Sequence, residues 1–311
     1  FNNAFGIGSN LPAGGSPISL DALEQISVST TPFDVRQSGF TGGAINAVTK
    51  SGTNEFKGTA YMYTSNTHLT GNKVEDYELT RNRDHSTTYG ASLGGAIIKN
   101  KLFFFVNGEY QDNVQAGPSG IARSGANDEW STNGIVHRPF ENTTTVGGRT
   151  FVGMNNISQY LSEKYNYNPG RYQGYSLETP SYKIMGRLDW NINNNHRLAL
   201  RYNYTKNTVW NAPNASSMDG GTRMSGSRTS QYAMSYANSM YSLDNLVHSL
   251  SFDLNSRFSA TLSNQFLATF SKLDDVRGTN SSIFPFVDIL KDNQNYISFG
   301  EELFTYNNAV H

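Results

Sequence analysis

The chain has 311 residues and a balanced charge, with 24 Lys and Arg against 25 Asp and Glu, which gives no reason to expect nucleic acid or an acidic polymer as a partner. Cysteine is absent, which excludes disulfide scaffolds and cysteine-ligated zinc sites. Aromatic residues reach 13%, charged residues only 16%, and the mean hydropathy is negative, a combination that a membrane β-barrel explains because only every second residue of its strands faces lipid.

The first part of the chain is predicted to hold a loop, a short turn and two strands. Residues 1–16 are rich in Gly, Asn and Pro and are predicted to be loop. Residues 17–28 favour a helical turn at 20–23 that runs directly into a strand. A stretch punctuated by Gly then leads to a second predicted strand, residues 44–49.

From residue 55 onward, apolar and polar residues alternate with a period of two, which is the pattern of a strand with two different faces. About seven such strands of about ten residues are predicted, a length that crosses a bilayer when the strand is tilted. They comprise residues 55–64, 88–98, 102–111, 182–192, 197–205, 246–254 and 258–271. Short polar turns join six of them in pairs, at Lys99-Asn100-Lys101, at residues 193–196 and at Asn255-Ser256-Arg257.

The pair formed by residues 182–192 and 197–205 shows the two faces most clearly. One face carries the apolar residues Tyr182, Ile184, Leu188, Trp190, Ile192, Leu198, Leu200, Tyr202 and Tyr204. The other face carries Lys183, Arg187, Asp189, Asn191, Arg197, Arg201, Asn203 and Thr205. We expect the first face to contact lipid, with aromatic rings anchored at the headgroups. The predicted aromatic anchors are Tyr61, Tyr63, Tyr89, Tyr110, Tyr182, Trp190, Tyr202 and Tyr204.

Long polar segments alternate with these tight turns along the chain. They are predicted to be loops and comprise residues 65–86, 112–181, 206–244 and 274–311. Short turns on one side and long loops on the other are the topology of outer-membrane barrels. Alternating strands also occur in soluble β-sandwiches and propellers, but such folds rarely contain unstructured loops of this length. The predicted fold is therefore an all-β, transmembrane antiparallel β-barrel.

Residues 18–66 resemble the plug-to-barrel junction of TonB-dependent receptors. The motif that carries the resemblance is Gly42-Gly43-Ala44-Ile45-Asn46-Ala47-Val48-Thr49-Lys50-Ser51-Gly52, preceded by Leu23-Glu24-Gln25-Ile26-Ser27-Val28 and followed by Thr53-Asn54-Glu55-Phe56-Lys57-Gly58 at the entry to the first barrel strand. It is most similar to the Oar-like branch, which is common in Gram-negative bacteria of the Bacteroidetes type. Ser27 stands near the place where that branch usually has an acidic residue, so the resemblance is at the level of the family.

The resemblance implies a division of the chain into two parts. Residues 1–52 would be the C-terminal part of an internal plug domain, and residues 53–311 the first part of a barrel that closes at about 22 strands when complete. Because seven strands cannot close such a barrel and an open edge cannot face lipid, we expect the chain to be a partial segment of a longer protein. The residues implied at the plug–barrel junction are Gly42, Gly43, Asn46, Thr49 and Gly52.

The resemblance also implies a function in the bacterial outer membrane. Receptors of this family take up a scarce solute such as a siderophore, a glycan or a peptide, with energy from the TonB complex of the inner membrane. The implied partners are that complex, outer-membrane lipids and an unknown solute. An alternative of a different class is a barrel that serves protein secretion, adhesion or surface assembly with a partner lipoprotein.

Candidate ligand contacts follow from the implied topology, in which the segment before residue 18 and the loop 112–181 face the outside. The candidates are Phe1, Asn2, Asn3, Phe5, Asn10, Trp130, Tyr172 and Tyr175. Aromatic rings can stack on sugars, peptides or aromatic ligands, but a solvated loop and packing of the loop on itself are alternatives. The same loop is predicted to contain an amphipathic helix after an Asn156 cap, from the spacing of Ile157, Tyr160, Leu161 and Tyr165.

No catalytic, cofactor or metal site is expected. The six His residues lack the paired spacing of a zinc site. The acidic pairs Asp128-Glu129 and Asp274-Asp275 are more simply interpreted as solvated side chains than as calcium ligands. The sequence contains no nucleophile elbow or phosphate-binding loop, and we therefore expect a protein that is not an enzyme.

Overall fold

The structure, a computed structural model, describes residues 18–29, 44–66, 69, 73–74, 77–78, 85–118, 120–125, 136–213, 228–230, 232–292 and 294–301. Within these residues the strands are β1 (Leu23–Ser29), β2 (Ala44–Thr49), β3 (Lys57–Asn66), β4 (Lys73–Val74), β5 (Tyr77–Glu78), β6 (His85–Ile98), β7 (Leu102–Ala116), β8 (Ile121–Arg123), β9 (Val136–Phe140), β10 (Thr144–Val146), β11 (Arg149–Phe151), β12 (Ser176–Glu178), β13 (Ser181–Asn191), β14 (His196–Asn211), β15 (Met234–Ser235), β16 (Tyr241–Arg257), β17 (Ser263–Thr279), β18 (Val287–Lys291) and β19 (Gln294–Phe299). One helix, α1, spans Met154–Tyr165, and 3-10 turns span Leu20–Ala22 and Ala237–Ser239.

Seven long strands form one antiparallel sheet in the order β17-β16-β14-β13-β7-β6-β3, with the short β12 paired to the end of β7. Each long strand pairs with the next long strand along the chain, so the sheet is an up-and-down meander. The prediction of an all-β fold with about seven long strands is confirmed, as are the tight turns after β6 and β13. The sheet does not close on itself within the described residues.

The third predicted turn, Asn255-Ser256-Arg257, is wrong. All three residues belong to β16, and the turn comprises residues 258–262. The three residues pair with β14 or β17, so backbone pairing with neighbouring strands overrides their preference for a turn. The turn is closed by Ser259, whose Oγ accepts the backbone N–H of Leu262 at 3.0 Å.

Several strands also run further toward the loops than predicted. β7 ends at Ala116, β14 ends at Asn211, β16 begins at Tyr241 and β17 ends at Thr279. The backbone ladder continues in register through these ends, although the alternation of apolar and polar residues that marks a strand in the sequence has stopped. Hydrophobic periodicity therefore locates the middle of each strand better than its loop end.

The two faces of the sheet differ as the alternation predicted. We name the residues 18–29 and 44–52 the junction segment, the face of the sheet that this segment contacts the inner face, and the opposite face the outer face. On β13, Ile184 of the outer face is 54% exposed, whereas Lys183 of the inner face is only 8% exposed. The sheet thus turns its apolar side chains outward and covers its polar side chains.

Aromatic side chains form a row across the outer face. The ring centroids of Tyr89 and Tyr110 lie 6.4 Å apart, and those of Tyr110 and Tyr182 lie 4.9 Å apart. The prediction that Tyr61 and Tyr63 are membrane anchors is wrong. The Tyr61 hydroxyl hydrogen-bonds on the inner face, and residues two apart on a strand share a face. The weak apolar pattern of β3 did not define its faces in the sequence.

The loops beyond β7, β14 and β17 pack into a unit of their own, which we name the loop layer (described residues of 117–180, 212–240 and 280–301). It contains α1 and the three-stranded sheet β15-β19-β18. Its main core comprises the buried side chains Ala122, Met154, Ile157, Leu161, Tyr167, Met234, Tyr236, Tyr296, Ile297 and Phe299. The predicted loops are therefore not structureless, because they share a hydrophobic core that no single loop could form.

The predicted amphipathic helix is confirmed as α1, but its N-cap is Gly153 rather than Asn156. Asn156 lies inside the first turn, where its Oδ1 accepts the backbone N–H of Thr143 at 2.8 Å. Of the four residues that suggested the helix, the two aliphatic ones are buried in the core and the two tyrosines are half-exposed. In the part of the chain that the structure describes, no helix combines the length and the apolar character needed to cross a membrane.

Candidate functional site

The junction segment lies against the inner face of the sheet. β1 and β2 pair antiparallel within it, and the backbone N–H of Lys50 donates to the carbonyl of Ala22 at 2.9 Å. Ser19, Ala22 and Thr49 are almost completely buried. The two parts of the junction segment are therefore bonded to each other and contact the sheet together. Three groups of polar contacts join the segment to the sheet.

The first contact is centred on the carboxylate of Glu109 in β7. Its Oε2 accepts hydrogen bonds from Ser19 Oγ at 2.8 Å and from Tyr61 Oη at 2.7 Å, and its Oε1 accepts one from Lys183 Nζ at 2.7 Å. The side chains of Lys183 and Glu109 are each only 10% exposed. A buried ion pair is costly to desolvate unless additional hydrogen bonds satisfy its atoms, and the two hydroxyl donors supply them.

Gly90 makes this arrangement possible. Tyr61, Gly90, Glu109 and Lys183 lie side by side in one row of register across β3, β6, β7 and β13. A Cβ atom at position 90 would lie 2.0 Å from Cζ of Tyr61. The ring of Tyr61 therefore crosses the bare backbone of Gly90 to reach Glu109.

The second contact is centred on Asp21, in the 3-10 turn Leu20–Ala22. Its Oδ2 accepts a hydrogen bond from Thr59 Oγ1 at 2.8 Å, and its Oδ1 accepts one from Lys50 Nζ at 3.2 Å. Burial alone would raise the pKa of Asp21, but hydrogen bonds from Ser92, Thr59 and Lys50 and the charge of Lys50 lower that pKa below its ordinary value. Asp21 is therefore held in its ionised form at neutral pH.

The third contact joins Thr49 to two arginines of the sheet. Arg187 Nη1 donates to the backbone oxygen of Thr49 at 2.6 Å and to its Oγ1 at 3.1 Å, and Arg201 Nη1 donates to the same Oγ1 at 3.3 Å. Arg187 and Arg201 lie directly opposite each other on β13 and β14. Arg187 also donates to Asp189 Oδ1 from Nε at 3.1 Å and from Nη2 at 2.9 Å. Part of the positive charge is thus neutralised within the sheet.

Gly52 lies where the chain passes from the junction segment to the first long strand. A Cβ atom at position 52 would lie 2.3 Å from the backbone oxygen of Phe104 and 2.6 Å from that of Gly95. Only glycine fits this approach of one backbone to another. Thr49 and Gly52, both expected at a junction from the sequence, therefore contact the sheet directly.

The structure shows less of the remaining residues that the sequence predicted at the junction or in ligand contact. Asn46 belongs to β2, where its backbone pairs with Ser27. The following suggested residues lie outside the described part of the chain: Phe1, Asn2, Asn3, Phe5, Asn10, Gly42, Gly43 and Trp130.

Tyr172 and Tyr175 come together at one cavity of about 150 Å³ in the loop layer. Tyr175 is buried, which raises its pKa, and its Oη donates to Met240 Sδ at 3.2 Å. Tyr172 Oη donates to Asn155 Oδ1 at 2.9 Å, and its ring packs edge-on against Tyr236. These contacts are all internal to the loop layer, so packing of the loops engages both tyrosines.

A larger cavity, of about 480 Å³, lies on the inner face one row of side chains closer to the loops than the Glu109 contact, and we name it the polar groove. Its lining includes Ser86, Gln111, Asn113, Thr179, Ser181 and Asn207. The candidate ligand contacts predicted from the sequence lie in the loops and in the segment before residue 18, so none of them lies in this groove. The available signal was the run of uncharged polar residues at inner-face positions near the loop ends of the strands.

The acidic pair Asp274-Asp275 is engaged by neighbouring side chains. Asp274 forms an ion pair with Lys272 at 2.9 Å, and Asp275 accepts a hydrogen bond from Asn245. Within the described residues, no group of three or more His, Asp or Glu side chains is arranged to hold a metal ion.

Comparisons with known proteins agree with this architecture. The family model described as an outer membrane beta barrel domain matches residues 48–310. The TonB-dependent transporter Oar of Myxococcus xanthus is 27% identical over 210 residues, which cover 64% of this chain and 18% of that protein. The chain thus spans about a fifth of the length of this curated relative. No solved structure matches the chain.

Proposed function

This chain belongs to the family of outer membrane beta barrel domains and lies in the bacterial outer membrane, and from that premise we propose that it is part of a TonB-dependent transporter that takes up a scarce solute. The junction segment is the part that moves when the inner-membrane TonB complex pulls. The outer face of the sheet contacts outer-membrane lipids, and the inner face lines the path of the solute.

The observation that carries this proposal is that each ion pair at the junction lies entirely on one side of the contact. Glu109 pairs with Lys183, and Arg187 pairs with Asp189, within the sheet. Asp21 pairs with Lys50 within the junction segment. The contacts that cross from segment to sheet are mainly hydrogen bonds, which hydroxyl groups and the Thr49 carbonyl make.

This distribution keeps the cost of separating the two parts small. Breaking an ion pair and leaving one buried charge alone costs ~3–5 kcal/mol, whereas a hydrogen bond between a neutral and a charged group contributes about 1.5–3 kcal/mol. If the junction segment leaves the inner face, the ion pairs Glu109–Lys183 and Arg187–Asp189 of the sheet stay intact. The pair Asp21–Lys50 within the segment also stays intact. The apolar cluster at the contact is small, with Ala22, Phe105 and Met185 at its centre and Ile18 packed against it. A pulled segment can therefore detach one contact at a time.

Uptake can be tested in the native host before the solute has been identified. Mass spectrometry of spent medium would compare cells with the full-length protein, cells that lack it, and cells that lack TonB. We expect the same solutes to remain in the medium of both deletion strains. Depletion that continues unchanged without TonB would contradict the proposal.

The junction can be tested with introduced thiols, because the chain has no cysteine of its own. In the double variant Ser19→Cys with Glu109→Cys, a short reducible thiol cross-linker should link the junction segment covalently to the sheet. We expect uptake to stop on cross-linking and to return on reduction. The two single-cysteine variants, treated in the same way, are the controls, and unchanged uptake in the cross-linked protein would refute a moving junction.

A second candidate function is surface assembly with a partner lipoprotein, or secretion through the same barrel. The observation that favours it is the loop layer, a folded unit with its own core and with the rings of Tyr160 and Tyr165 half-exposed on α1. Co-purification of a partner in a fixed ratio, together with no TonB-dependent depletion of the medium, would favour this function over uptake.

A further inference from the structure

One row of side chains on the inner face has no charge over five strands, whereas the next row on the side of the junction segment contains Glu109 and Lys183. Tyr63, Thr88, Gln111, Ser181 and Asn207 face one another in register across β3, β6, β7, β13 and β14. The row lies two residues closer to the loops than the row of Tyr61, Glu109 and Lys183. A solute that arrives from the loop side meets this row before it meets the junction segment.

The side chains of the polar groove orient one another. Gln111 Nε2 donates to Ser86 Oγ at 2.9 Å, Asn113 Nδ2 donates to Thr179 Oγ1 at 2.5 Å, and Ser181 Oγ donates to Asn207 Oδ1. An amide has two donors and an acceptor oxygen, and a hydroxyl has one donor and two acceptor lone pairs. One mutual bond therefore fixes each group and leaves hydrogen-bonding capacity for a ligand.

The lining of the groove selects against charged ligands. The described residues that line it include no Lys, Arg, Asp or Glu, and His85 is the one titratable side chain among them. The nearest row holds Glu109 and Lys183, which are covered and neutralise each other. A carboxylate or phosphate in the groove would lose its hydration without gaining a counter-charge, whereas a hydroxyl group would exchange water for an amide or hydroxyl partner.

An exposed aromatic ring lies beside the groove, two residues from the lining residue Ser65 on the same face of β3. Tyr63 stands at one end of the row and is 67% exposed, and its ring lies 5.2 Å from that of Tyr61. A tyrosine ring presents a flat apolar face beside a polar tip, and such a face can stack on the C–H face of a sugar ring. The cavity of about 480 Å³ is within the ~300–1,000 Å³ typical of ligand sites.

We propose that the polar groove binds an uncharged, hydroxyl-rich solute of oligosaccharide chemistry, and that Gln111, Asn113 and Tyr63 contact it. This inference rests on the proposed function, since it names the class of solute that the transporter takes up. The groove holds the solute directly above the junction segment, so that release of the segment opens the way for a molecule that is already bound.

The binding test uses the full-length protein in detergent and three neutral probes, maltohexaose, cellohexaose and mannohexaose. Titration calorimetry should detect binding of at least one of them, and a hexamer of galacturonic acid, which has carboxylates, should bind at least about tenfold more weakly. If none of the three neutral probes binds, or if the charged hexamer or an unmodified hexapeptide binds more tightly, the proposal is overturned.

Variants locate the bound probe. The double variant Gln111→Ala with Asn113→Ala should weaken binding by about tenfold or more, because it removes two amide partners. Tyr63→Ala should also weaken it, whereas Met62→Ala, on the outer face of the same strand, should not. Circular dichroism and detergent solubility would establish that each variant folds. Affinity that is unchanged in both groove variants would overturn the proposal.

The outcome is separable from that of the uptake experiment. Binding of a neutral probe that depends on Gln111 and Tyr63, without TonB-dependent depletion of the medium, would sustain the groove and reject transport. TonB-dependent depletion limited to charged solutes or peptides would sustain transport and reject the groove.

Discussion

The sheet and the loop layer differ in where they place their apolar side chains. In the sheet, apolar side chains such as Ile184 (54% exposed) and Phe270 (65% exposed) point outward, while Lys183 is covered. In the loop layer, Ile297 is completely buried among other apolar side chains. The difference follows from the surroundings, because lipid accepts apolar surface that water rejects. Exposed apolar side chains thus mark the part of the chain that lies in the membrane, and buried apolar side chains mark the part that lies in water.

The largest expected effect would come from opening the core of the loop layer. Ile297→Ala should destabilise that layer by ~2–5 kcal/mol, because it leaves a cavity in a packed interior. Hydrogen exchange of α1 and β19 should rise strongly in the full-length protein in detergent. The control is Leu290→Ala in β18, where the side chain is 56% exposed, and an equal effect of both variants would remove the contrast between the two regions.

A charge placed on the outer face should have an effect of similar but somewhat smaller size. Leu200 lies between Leu188 and Phe252 in the register of the outer face, and Leu200→Arg should cost ~2–4 kcal/mol of folding free energy in a phospholipid bilayer. Ala199→Arg is the matched control, because residue 199 lies on the inner face opposite Asp189 and Asp253. Equal unfolding free energies for the two variants would show that the outer face does not contact lipid.

Acid should loosen the loop layer at a particular ion pair. Asp288 accepts hydrogen bonds from Arg228 Nε at 2.8 Å, Asn295 Nδ2 at 2.8 Å and Ser298 Oγ at 2.7 Å. Burial alone would raise the pKa of Asp288, but the hydrogen bonds from Arg228 and Ser298, the charge of Arg228 and the hydrogen bond from Asn295 lower that pKa below its ordinary value. Its stabilisation is therefore fully present above the ordinary pKa of an aspartate and is lost as the pH falls through the lowered value.

Asp288→Asn should cost about 1.5–3 kcal/mol at neutral pH and should remove this part of the acid dependence. Hydrogen exchange of β19, measured at neutral and at acidic pH, would report both effects. Asp292→Asn is the control, since its ion pair with Arg149 is exposed and contributes only ~0–1 kcal/mol. A wild-type loop layer whose exchange does not respond to acid would contradict the assignment.

The smallest effect is expected at the junction. Ser19→Ala removes one hydrogen bond to Glu109, while Lys183 and Tyr61 continue to satisfy that carboxylate. The junction segment should therefore lose only about 1.5 kcal/mol, the low end of the range for a hydrogen bond to a charged group. Exchange of residues 18–29 would measure the loss, with the exposed Ser51→Ala as control. A loss as large as that of Ile297→Ala would mean that the junction is held as rigidly as a hydrophobic core.

Most of the sheet could be predicted because its strands, apart from β3, follow one local rule. Alternation with a period of two located the seven strands, and β2 begins and ends where the sequence places it, at Ala44 and Thr49. The rule failed where neighbours decide the structure. The residues 255–257 look like a turn by composition, yet they pair with residues of β14 and β17.

The loop layer and the polar groove could not be predicted from the sequence, because residues far apart in the chain form both of them. Met154, Tyr236 and Ile297 are far apart in the chain and meet only because three loops converge on one core. The lining of the groove is likewise drawn from five strands, and Gln111 or Asn207 taken singly looks like any polar residue on a strand. Local patterns identify which side of a strand is polar, but they do not reveal which polar side chains share a cavity.

The ring of Tyr61 lies across the backbone of Gly90, and this contact limits which residues related sequences can carry at the two positions. A side chain at position 90 would displace the phenol of Tyr61 and so remove its hydrogen bond to Glu109, whereas a small residue at position 61 would leave room for it. The two positions, on different strands and 29 residues apart in the sequence, should therefore change together in evolution. In an alignment of relatives, bulky residues at position 90 should occur mainly beside small residues at position 61.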